Sequence, residues 1–376
     1  MKILHVASFC GNIGDNASHI GLYSLLRRLL GEFSVDRLEI RRFYKNRPAG
    51  ERLAFDADFV RAANRYDLLI VGGGGFFDYW VEASETGTTI DISSSDLDAL
   101  TVPTLFASIG SHPHKEVPPG NIDKFRRFLM QVAEKPNMRI LPRNDGSLPV
   151  IKTILGESGL GQIREILDNG FFYEGGAGQP RYPVLRPGHY VAWNITTDQL
   201  AMNSALRAEP AIEAYYHELA DAIVSISATS DLDHVFVPHI GGDLAAISRL
   251  FTYLPDDLVR RRIVVAPYGQ GDDAARFAFN VYRESRVVVG SRFHTNVCSI
   301  AQGVETVGLG ILGRIRYLYD YFGIADRCVD VASAFGSTLA ERVLTAAPRP
   351  SVQELLEERR QDSLMAYSEA LASIRR

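Results

Sequence analysis

Short apolar runs alternate with amphipathic stretches from one end of this 376-residue chain to the other. The runs are about four to eight residues long, which suits strands, and the stretches between them have the apolar spacing of helices. This alternation is typical of parallel sheets covered by helices, because a strand buried on both faces is apolar throughout, whereas a covering helix is apolar on one face. We therefore predict an α/β fold.

Each half of the chain shows the same alternation and predicts a Rossmann-like domain with a parallel sheet. In the first half the predicted strands span 3–8, 36–40, 67–71, 104–109 and 138–141, and the predicted helices span 17–30 and 123–132. In the second half the strands span 190–195, 234–238, 263–267, 287–289 and 306–309, and the helices span 212–227, 243–251, 273–284 and 295–302.

The length of the chain also favours two domains, because single cores usually stop growing near about 250–300 residues. Gly and Pro concentrate without helical or strand spacing at 173–180 and at 186–188, which is typical of a linker or a surface loop. We place the boundary there and predict an N-terminal domain over 1–175, a C-terminal domain over 176–350 and a C-terminal helix over 351–376.

The composition is that of a soluble globular protein, with 46% hydrophobic and 23% charged residues. A net charge of -5 disfavours nucleic acid as the main partner, because phosphate backbones require a basic face. The first residues run directly into a strand pattern without the apolar core of a signal peptide, and no run approaches the roughly 18 apolar residues of a membrane helix. We therefore expect a cytoplasmic protein.

The cysteines and histidines give no sign of a metal centre. Cys10, Cys298 and Cys328 lie far apart and match no zinc spacing, so we expect reduced, structural thiols. His112 and His114 lie in a proline-containing segment, without further ligands at the spacing of a closed site. We therefore expect no bound metal.

The segment after the predicted strand at 287–289 carries the strongest chemical signal. The apolar run ends in Gly290 and Ser291, and Arg292 and His294 follow two residues apart. If the backbone stays extended, both side chains point the same way, toward a ligand beyond the carboxyl end of the strand. A fixed cation beside a group that exchanges protons near neutral pH favours an enzyme with an anionic substrate. A structural role for the pair is the alternative.

A glycine-rich turn, GNIGD, separates the first predicted strand from the first helix. Gly11, Asn12 and Gly14 would allow backbone amides to approach a ligand closely at the helix N-terminus. The turn is neither GxGxxG nor a Walker loop. Because Asp15 would repel a phosphate, it either accepts a hydrogen bond from a hydroxyl group or caps the helix.

Four consecutive glycines follow the predicted strand at 67–71. Such a run allows a backbone path that side chains would obstruct, so Gly73 and Gly74 predict the close approach of a ligand or of the neighbouring domain. A plain tight turn is the alternative. Asp78 lies just beyond the run and is a weaker candidate.

Two further strand ends carry polar groups. Arg143 and Ser147 follow the strand at 138–141, where helix capping explains the serine but not the arginine. His239 follows the strand at 234–238. It is a second acid/base, a hydrogen-bond donor to a sugar or phosphate, or a structural histidine.

Taken together, these motifs resemble the polysaccharide pyruvyltransferase family, and the resemblance runs from Gly11 to about Gly323. Two positions depart from the family pattern. Asn144 follows Arg143 where the family usually has aspartate, and Arg314 stands where it often has lysine, which keeps the charge but not the geometry. The matching segments are GNIGD at 11–15, DLLIVGGGG at 67–75 with Asp78 beyond it, Ser108-Ile109-Gly110, Arg143 with Ser147, His239 with Asp243, and SRFH at 291–294.

This resemblance implies two Rossmann-like domains of the GT-B type that face each other across a cleft holding the active site, with the acceptor on the N-terminal and the donor on the C-terminal domain. It implies a transferase of polysaccharide biosynthesis that moves pyruvate from phosphoenolpyruvate onto two hydroxyls of a sugar or glycan, giving a cyclic ketal and phosphate. No cofactor or metal is then required, because arginines can supply the positive charge. Polymer-linked, lipid-linked and free acceptors stay open, as do peripheral membrane contact and a homo-oligomer.

On this hypothesis His294 is the acid/base, because ketal formation needs a proton delivered to the methylene carbon of phosphoenolpyruvate and a base for the sugar hydroxyl. Arg292 and Arg143 are expected to clamp the carboxylate and the departing phosphate, while Asp15 and Asp78 suit acceptor hydroxyls. The predicted catalytic residues are His294, Arg292 and Asp15, and the predicted substrate-binding residues are Gly11, Asn12, Gly14, Gly73, Gly74, Asp78, Arg143, Ser147, His239, Ser291 and Arg314.

Other functional classes stay open. A nucleotide-sugar glycosyltransferase of the GT-B type would use the same architecture and release a nucleoside diphosphate. A catalytically silent module that binds sugars or nucleotides would show saturable binding without turnover. A NAD-dependent dehydrogenase ranks last, because no acidic residue follows a proper GxGxxG at the expected distance.

Overall fold

A computed structural model gives the fold and describes residues 1–48, 50–156, 163–175 and 182–374. The chain divides into two compact units. Unit 1 takes the described residues of Met1–Phe9, Tyr23–Asn169 and Glu358–Arg376, and unit 2 takes those of Cys10–Leu22 and Gly170–Glu357.

This division differs from the predicted domain bounds, because unit 2 takes Cys10–Leu22 and begins again at Gly170, and unit 1 takes the described residues of Glu358–Arg376. Cys10–Leu22 belongs to unit 2, because Ile13 N–H donates to the carbonyl oxygen of His239 (3.3 Å) and Asn16 donates to Asp272 (3.0 Å). Of the predicted linker at 173–180 and 186–188, residues 176–180 lie outside the described residues, and the remainder has neither helix nor strand.

The sheet of unit 1 has five parallel strands in the order β2-β1-β3-β4-β5. The winding therefore reverses between β1 and β3, and in doubly wound sheets ligands bind beyond the carboxyl ends of the strands at such a reversal. The strands are β1 (Lys2–Ala7), β2 (Ser34–Glu39), β3 (Leu68–Gly72), β4 (Thr104–Ile109) and β5 (Met138–Pro142). The helices of this half of the chain are α1 (Ile13–Leu30), α2 (Ala57–Ala63), α3 (Ser94–Ala99), α4 (Asn121–Glu134) and α5 (Ser147–Leu155).

The sheet of unit 2 has six parallel strands in the order β11-β10-β9-β6-β7-β8. This is the order of a Rossmann sheet, and its winding reverses between β6 and β9. The strands are β6 (Tyr190–Asn194), β7 (Asp233–Phe236), β8 (Ile263–Val265), β9 (Val287–Gly290), β10 (Thr306–Leu309) and β11 (Cys328–Val329). The helices of this half of the chain are α6 (Glu209–Thr229), α7 (Gly241–Phe251), α8 (Asp256–Arg262), α9 (Gly271–Arg283), α10 (Phe293–Ala301), α11 (Gly313–Tyr321), α12 (Gly336–Leu344) and α13 (Pro350–Ile374). Most of α13 belongs to unit 1.

Each sheet carries its own apolar core. In unit 1 the buried ring of Phe77 packs against Phe106 and Phe125, with centroids 5.4 and 5.5 Å away. In unit 2 Trp193 stacks on Phe236 with centroids 6.2 Å apart. Full burial of one such side chain stabilises the fold by roughly 1.5–3 kcal/mol, so each core holds its own strands and the loops that follow them in place.

Among the described residues, no helix is long and apolar enough to cross a membrane.

The ten predicted strands are confirmed, with ends that shift by two residues at most. Several shorter elements were not predicted, and for β11 and α8 the structure shows why. β11 is only two residues long, and α8 buries none of its side chains, so neither produces an apolar pattern. Helices α2, α3, α11 and α12 also were not predicted.

Candidate active site

The Ser291–His294 segment lies at the carboxyl ends of β6 and β9, where the winding of the unit 2 sheet reverses. Ser291 N–H donates to the carbonyl oxygen of Asn194 (3.0 Å), and Arg292 N–H donates to the Asn194 side chain (3.1 Å). These bonds fix the loop after β9 against the last residue of β6. Helix α10 then begins at Phe293, so His294 lies in its first turn.

Arg292 and His294 consequently have different partners. Arg292 precedes the helix and bonds to Asp243, whereas His294 contacts Asp15. Helical backbone begins between Arg292 and His294, so the extended conformation on which their common orientation was predicted does not occur.

The Arg292 guanidinium is buried between carboxylates of unit 2. Its Nε donates to Asp243 (3.0 Å), and its Nη2 donates to Asp243 (2.5 Å), Asp198 (2.7 Å) and Thr196 (2.9 Å). Burial by itself would lower the pKa of Arg292, but its hydrogen bonds to Asp243 and the charges of Asp243 and Asp198 raise it above its usual value. Arg292 is therefore permanently charged, and carboxylates of its own unit balance that charge.

His294 and Asp15 form a partly shielded pair. His294 Nδ1 lies 3.3 Å from Asp15 Oδ1, with 7% and 14% of the two side chains exposed. Asp15 lies in the first turn of α1. A carboxylate at Nδ1 is the usual way in which proteins orient an imidazole and fix its tautomer.

The GNIGD turn contacts both histidines of unit 2 because Gly14 has no side chain. A Cβ atom on Gly14 would lie 2.9 Å from His294 Cβ and 3.3 Å from His239 Nδ1. Asn12 closes the turn, since its Oδ1 accepts from Gly14 N–H (3.0 Å) and its Nδ2 donates to Asp15 (3.1 Å). The turn therefore holds Asp15 at the imidazole of His294.

His239 is fully buried and hydrogen-bonded. Its Nε2 lies 2.8 Å from the hydroxyl of Tyr282, and its backbone N–H donates to Asp243 (2.9 Å). Burial, followed by the positive charges of Arg292 and His294, lowers the pKa of His239 well below its usual value. His239 is thus neutral near pH 7, which favours a hydrogen-bonding or structural role over a second acid/base.

Three other predicted residues of unit 2 lie at turns. Ser291 is fully buried, Gly11 has a positive φ of 90°, and Arg314 lies partly buried in the first turn of α11, after β10. Their predicted contacts with substrate stay predictions.

In unit 1, close packing explains the glycine run. A Cβ atom on Gly72 would overlap the carbonyl oxygen of Ala107 in β4, and one on Gly75 would lie 2.9 Å from Asp78 Oδ2. Gly73 has a positive φ of 75°, which favours glycine. These demands arise within unit 1, so the run requires no ligand, and the substrate contacts predicted for Gly73 and Gly74 stay predictions.

Arg143 is also buried between carboxylates, at the carboxyl end of β5. Its Nε donates to Asp145 (2.6 Å), and its Nη1 donates to Asp168 (3.4 Å). Burial would lower the pKa of Arg143, but the charges of Asp145 and Asp168 raise it above its usual value. Ser147 donates to Asp145 and accepts from Ser111 N–H (2.7 Å), so it orders this ion pair. The side chain of Arg143 therefore forms ion pairs within unit 1, which explains this residue where helix capping does not.

Asp78 lies beside this group. Its Oδ1 accepts from His112 N–H (2.6 Å), which connects the loop after β3 to the loop after β4. Asp78 is 9% exposed, and its charge acts on Arg143. A carboxylate at this position can accept a hydrogen bond from a hydroxyl group.

The structure thus brings the predicted residues together in two groups, one in each unit. Unit 2 groups Asn12, Gly14, Asp15, His239, Arg292 and His294, and unit 1 groups Asp78, Arg143 and Ser147. Sequence reasoning noted Asp243 only as part of the family pattern and did not predict that acidic residues pair with the two arginines. Asp198 follows β6 closely and could have been found by its strand-end position, whereas Asp168 has no such signal.

No described residues form a cluster of three or more metal-ligating side chains. His112 and His114 stack instead, with ring centroids 5.1 Å apart. The expectation that no metal is needed stays an expectation.

A family model described as polysaccharide pyruvyl transferase matches residues 12–312. Three similar solved structures cover nearly the whole chain. A putative UDP-N-acetylglucosamine 2-epimerase from Listeria monocytogenes is 11% identical, with 97% of this chain and 94% of that chain covered and a TM-score of 0.57. An alpha,alpha-trehalose 6-phosphate synthase from Burkholderia multivorans is 12% identical (coverage 100% and 98%, TM-score 0.55), as is a glycosyltransferase from Rickettsia africae (coverage 100% and 97%, TM-score 0.54).

At these identities the likeness shows the fold alone, and that fold is the GT-B-type pair of parallel-sheet α/β domains. No curated protein matches the sequence.

Proposed function

This chain belongs to the polysaccharide pyruvyl transferase family, and from that premise we propose that it transfers pyruvate from phosphoenolpyruvate to two hydroxyls of a glycan. The products are a cyclic ketal and inorganic phosphate. The observation that carries this proposal is the His294–Asp15 pair, which lies at the winding reversal of the unit 2 sheet and inside the matched part of the chain.

The reaction needs two proton transfers. One sugar hydroxyl adds to C2 of phosphoenolpyruvate while C3 takes up a proton and becomes a methyl group. The C2–O bond to phosphate then breaks, and the second hydroxyl adds to C2. The two hydroxyl protons end on the methyl group and on the departing phosphate, so no redox partner is required.

We assign the proton transfers to His294. With Asp15 at Nδ1, the proton of the neutral imidazole is held on that nitrogen, and we assign to Nε2 the exchange of protons with the substrate. When the imidazole becomes positively charged, the Asp15 carboxylate stabilises it. His239 stays neutral because of its lowered pKa, so it orders the site without competing for the proton.

We assign Arg292 a positioning role instead of the predicted anion clamp. Its guanidinium is taken up by Asp243 and Asp198, and Asp243 in turn accepts the backbone N–H groups of His239 and Ile240. Arg292 therefore supports the loop that carries His239 and the loop that leads into α10.

Other groups must then meet the donor's negative charge. The segments that make up unit 2 contain no lysine, so the candidates are guanidinium groups and helix N-termini. The first turn of α10 has no side-chain cap, and its dipole favours an anion. We propose Arg314, in the first turn of α11, as the cation that contacts the donor.

The acceptor hydroxyls are assigned to Asp78, whose carboxylate is fixed by His112 N–H. Arg143 is assigned a supporting role, because Asp145 and Asp168 pair with it in the same group.

The test is release of inorganic phosphate from phosphoenolpyruvate by the purified protein, with a panel of sugars, nucleotide sugars and lipid-linked glycans as acceptors. We expect release that depends on the acceptor, and an acceptor product that carries one pyruvyl ketal by mass spectrometry. Release of a nucleoside diphosphate from a nucleotide sugar, with phosphoenolpyruvate unused, would instead establish glycosyl transfer.

A further inference from the structure

The segment between β3 and α3 is a long connection without helix or strand of its own. Residues 73–93 lie between the last residue of β3 and the first residue of α3. Connections longer than about 12–15 residues are uncommon in compact domains and are usually functional when ordered. We call this segment the β3–α3 loop.

Buried and partly buried hydrogen bonds order the β3–α3 loop. The amide of Asn121, on α4, donates to the carbonyl oxygens of Tyr79 (3.0 Å) and Val81 (3.1 Å). Further along, the buried hydroxyls of Thr86 and Thr88 lie 2.9 Å apart, and Thr86 donates to the carbonyl oxygen of Ile90 (2.7 Å). Because the Asn121 side chain is hydrogen-bonded to the backbone on both sides of residue 80, the backbone at that position is well ordered.

The side chains before residue 80 anchor the same stretch. Phe77 is fully buried, and the ring of Tyr79 stacks on Phe125 of α4 with centroids 5.4 Å apart. The intervening Asp78 accepts from His112 N–H (2.6 Å). The loop is therefore ordered up to Trp80 by the core, by a ring stack and by a hydrogen bond.

Trp80 itself is only partly buried, although everything around it is fixed. The ammonium of the exposed Lys115, from the loop after β4, lies 4.1 Å from the centroid of its ring. A rigid indole with part of its surface exposed offers apolar area at low entropic cost, and an adjacent ammonium offers a point charge for carboxylate or phosphate.

We propose that Trp80 and Lys115 form a subsite for the acceptor glycan, which packs a sugar ring against the exposed part of the indole that the ammonium leaves uncovered and places an anionic group at the ammonium. The acceptor is accordingly an acidic glycan, with a uronate carboxylate or a phosphate diester next to the stacked ring. The role of this subsite in holding the acceptor rests on the proposed function, whereas the binding of an acidic sugar at Trp80 and Lys115 does not. Asp78, two residues before Trp80, places the residue assigned to acceptor hydroxyls on the same loop.

Tryptophan fluorescence gives a direct readout, because the chain has only two tryptophans and Trp193 is fully buried. The titration uses the full chain with three oligosaccharides of equal length: one containing uronate, one containing phosphate diesters and one neutral. We expect saturable changes in emission with at least one acidic oligosaccharide, at concentrations roughly ten-fold below those that the neutral one requires.

Variants then locate the contact. Trp80→Ala should raise the KM for the acceptor roughly ten-fold without changing the KM for phosphoenolpyruvate, and Trp80→Phe should retain most of the affinity because it keeps a ring. Lys115→Gln should weaken binding of the acidic oligosaccharide only. Lys2→Gln is the matched control, since it removes an exposed ammonium at the opposite, amino end of the same sheet.

The outcomes separate this subsite from the proposed function. If Trp80→Ala leaves the KM for the acceptor unchanged while phosphate release continues, the subsite is refuted and the reaction stands. If acidic oligosaccharides change the emission of the wild-type protein and Lys115→Gln abolishes the preference, but phosphoenolpyruvate is never consumed, the subsite stands and the reaction is refuted. Equal affinity for neutral and acidic oligosaccharides would contradict the role of Lys115.

Discussion

At the scale of single residues, the two buried arginines differ from what their positions in the sequence indicate. Arg292 and Arg143 follow strand ends, where a cation predicts anion binding, yet each donates to two carboxylates of its own unit. A buried ion pair of this kind contributes little net stability, but breaking it leaves an uncompensated charge. The position of each arginine at a strand end can be predicted from the sequence, whereas its pairing with particular carboxylates cannot.

Replacing Asp243 tests the role of this ion pair. Asp243→Asn should lower the free energy of unfolding by about 3 kcal/mol, because it removes the carboxylate that meets two nitrogens of Arg292. Urea denaturation measures the loss. The control is Asp256→Asn, whose exposed partner is Arg260 and whose effect should stay within about 0.5 kcal/mol. Equal effects of the two changes would contradict a structural role for the Arg292 pair.

At the scale of helices and strands, the first turn of α1 can lie close to two histidines only because Gly14 has no side chain. Gly14 lets this turn approach His239 and His294. In an ordinary helix, alanine would be the better residue by about 1 kcal/mol. The glycine is therefore explained by the contact with the histidines and not by the helix.

Gly14→Ala should reduce the rate of phosphate release at least about ten-fold, because the added methyl group displaces His294 or Asp15 from their contact. The measurement is kcat with saturating phosphoenolpyruvate and acceptor. Gly241→Ala is the matched control at the start of α7, where the nearest atom to the added methyl group is the Tyr268 hydroxyl at 3.9 Å. A Gly14→Ala protein with the activity of this control would refute the assigned geometry.

A buried hydrogen bond between Trp193 and His234 joins strands β6 and β7. His234 accepts from the indole nitrogen of Trp193 (3.0 Å), and its other ring nitrogen lies 2.9 Å from the hydroxyl of Ser227. Burial, with a smaller effect of the charge of Arg262, lowers the pKa of His234 to about 3. The folded protein therefore keeps this imidazole neutral.

Acid should accordingly destabilise the fold through His234. The unfolded chain binds a proton near its ordinary pKa of about 6.5, whereas the folded chain does so only near pH 3, so stability falls as the pH decreases between these values. His234→Asn should reduce the slope of unfolding free energy against pH by up to about 1.4 kcal/mol per pH unit. Denaturation at several pH values measures the slope, with His189→Asn at an exposed position as the control. An unchanged slope in His234→Asn would contradict the lowered pKa.

At the scale of the whole molecule, alternating apolar runs were enough to predict two parallel-sheet units and all ten of the longer strands. This works because a parallel strand is apolar over its whole length and its helices repeat a regular spacing. Arg292, His294 and Arg143 also lie just beyond strand ends in the structure, as the sequence indicates, since parallel sheets collect their polar groups at one edge.

Pairing across long sequence distances could not be predicted in the same way. Asp168 meets Ser108 (3.1 Å) and Arg143 (3.4 Å), although neither distance along the chain follows a period. The grouping of Cys10–Leu22 with unit 2 is similar, because it arises from contacts to residues more than 200 positions away, as in the hydrogen bond of Asn16 to Asp272. Tertiary packing decides these pairs.

The most direct test of the account is the rate of phosphate release from phosphoenolpyruvate by the His294→Ala protein, with an acceptor to which the wild-type protein responds. If His294 carries the proton transfers as proposed, the rate should fall by about 100-fold or more, while His189→Ala, an exposed histidine, should keep the wild-type rate. Near-normal release by a correctly folded His294→Ala protein would contradict the account.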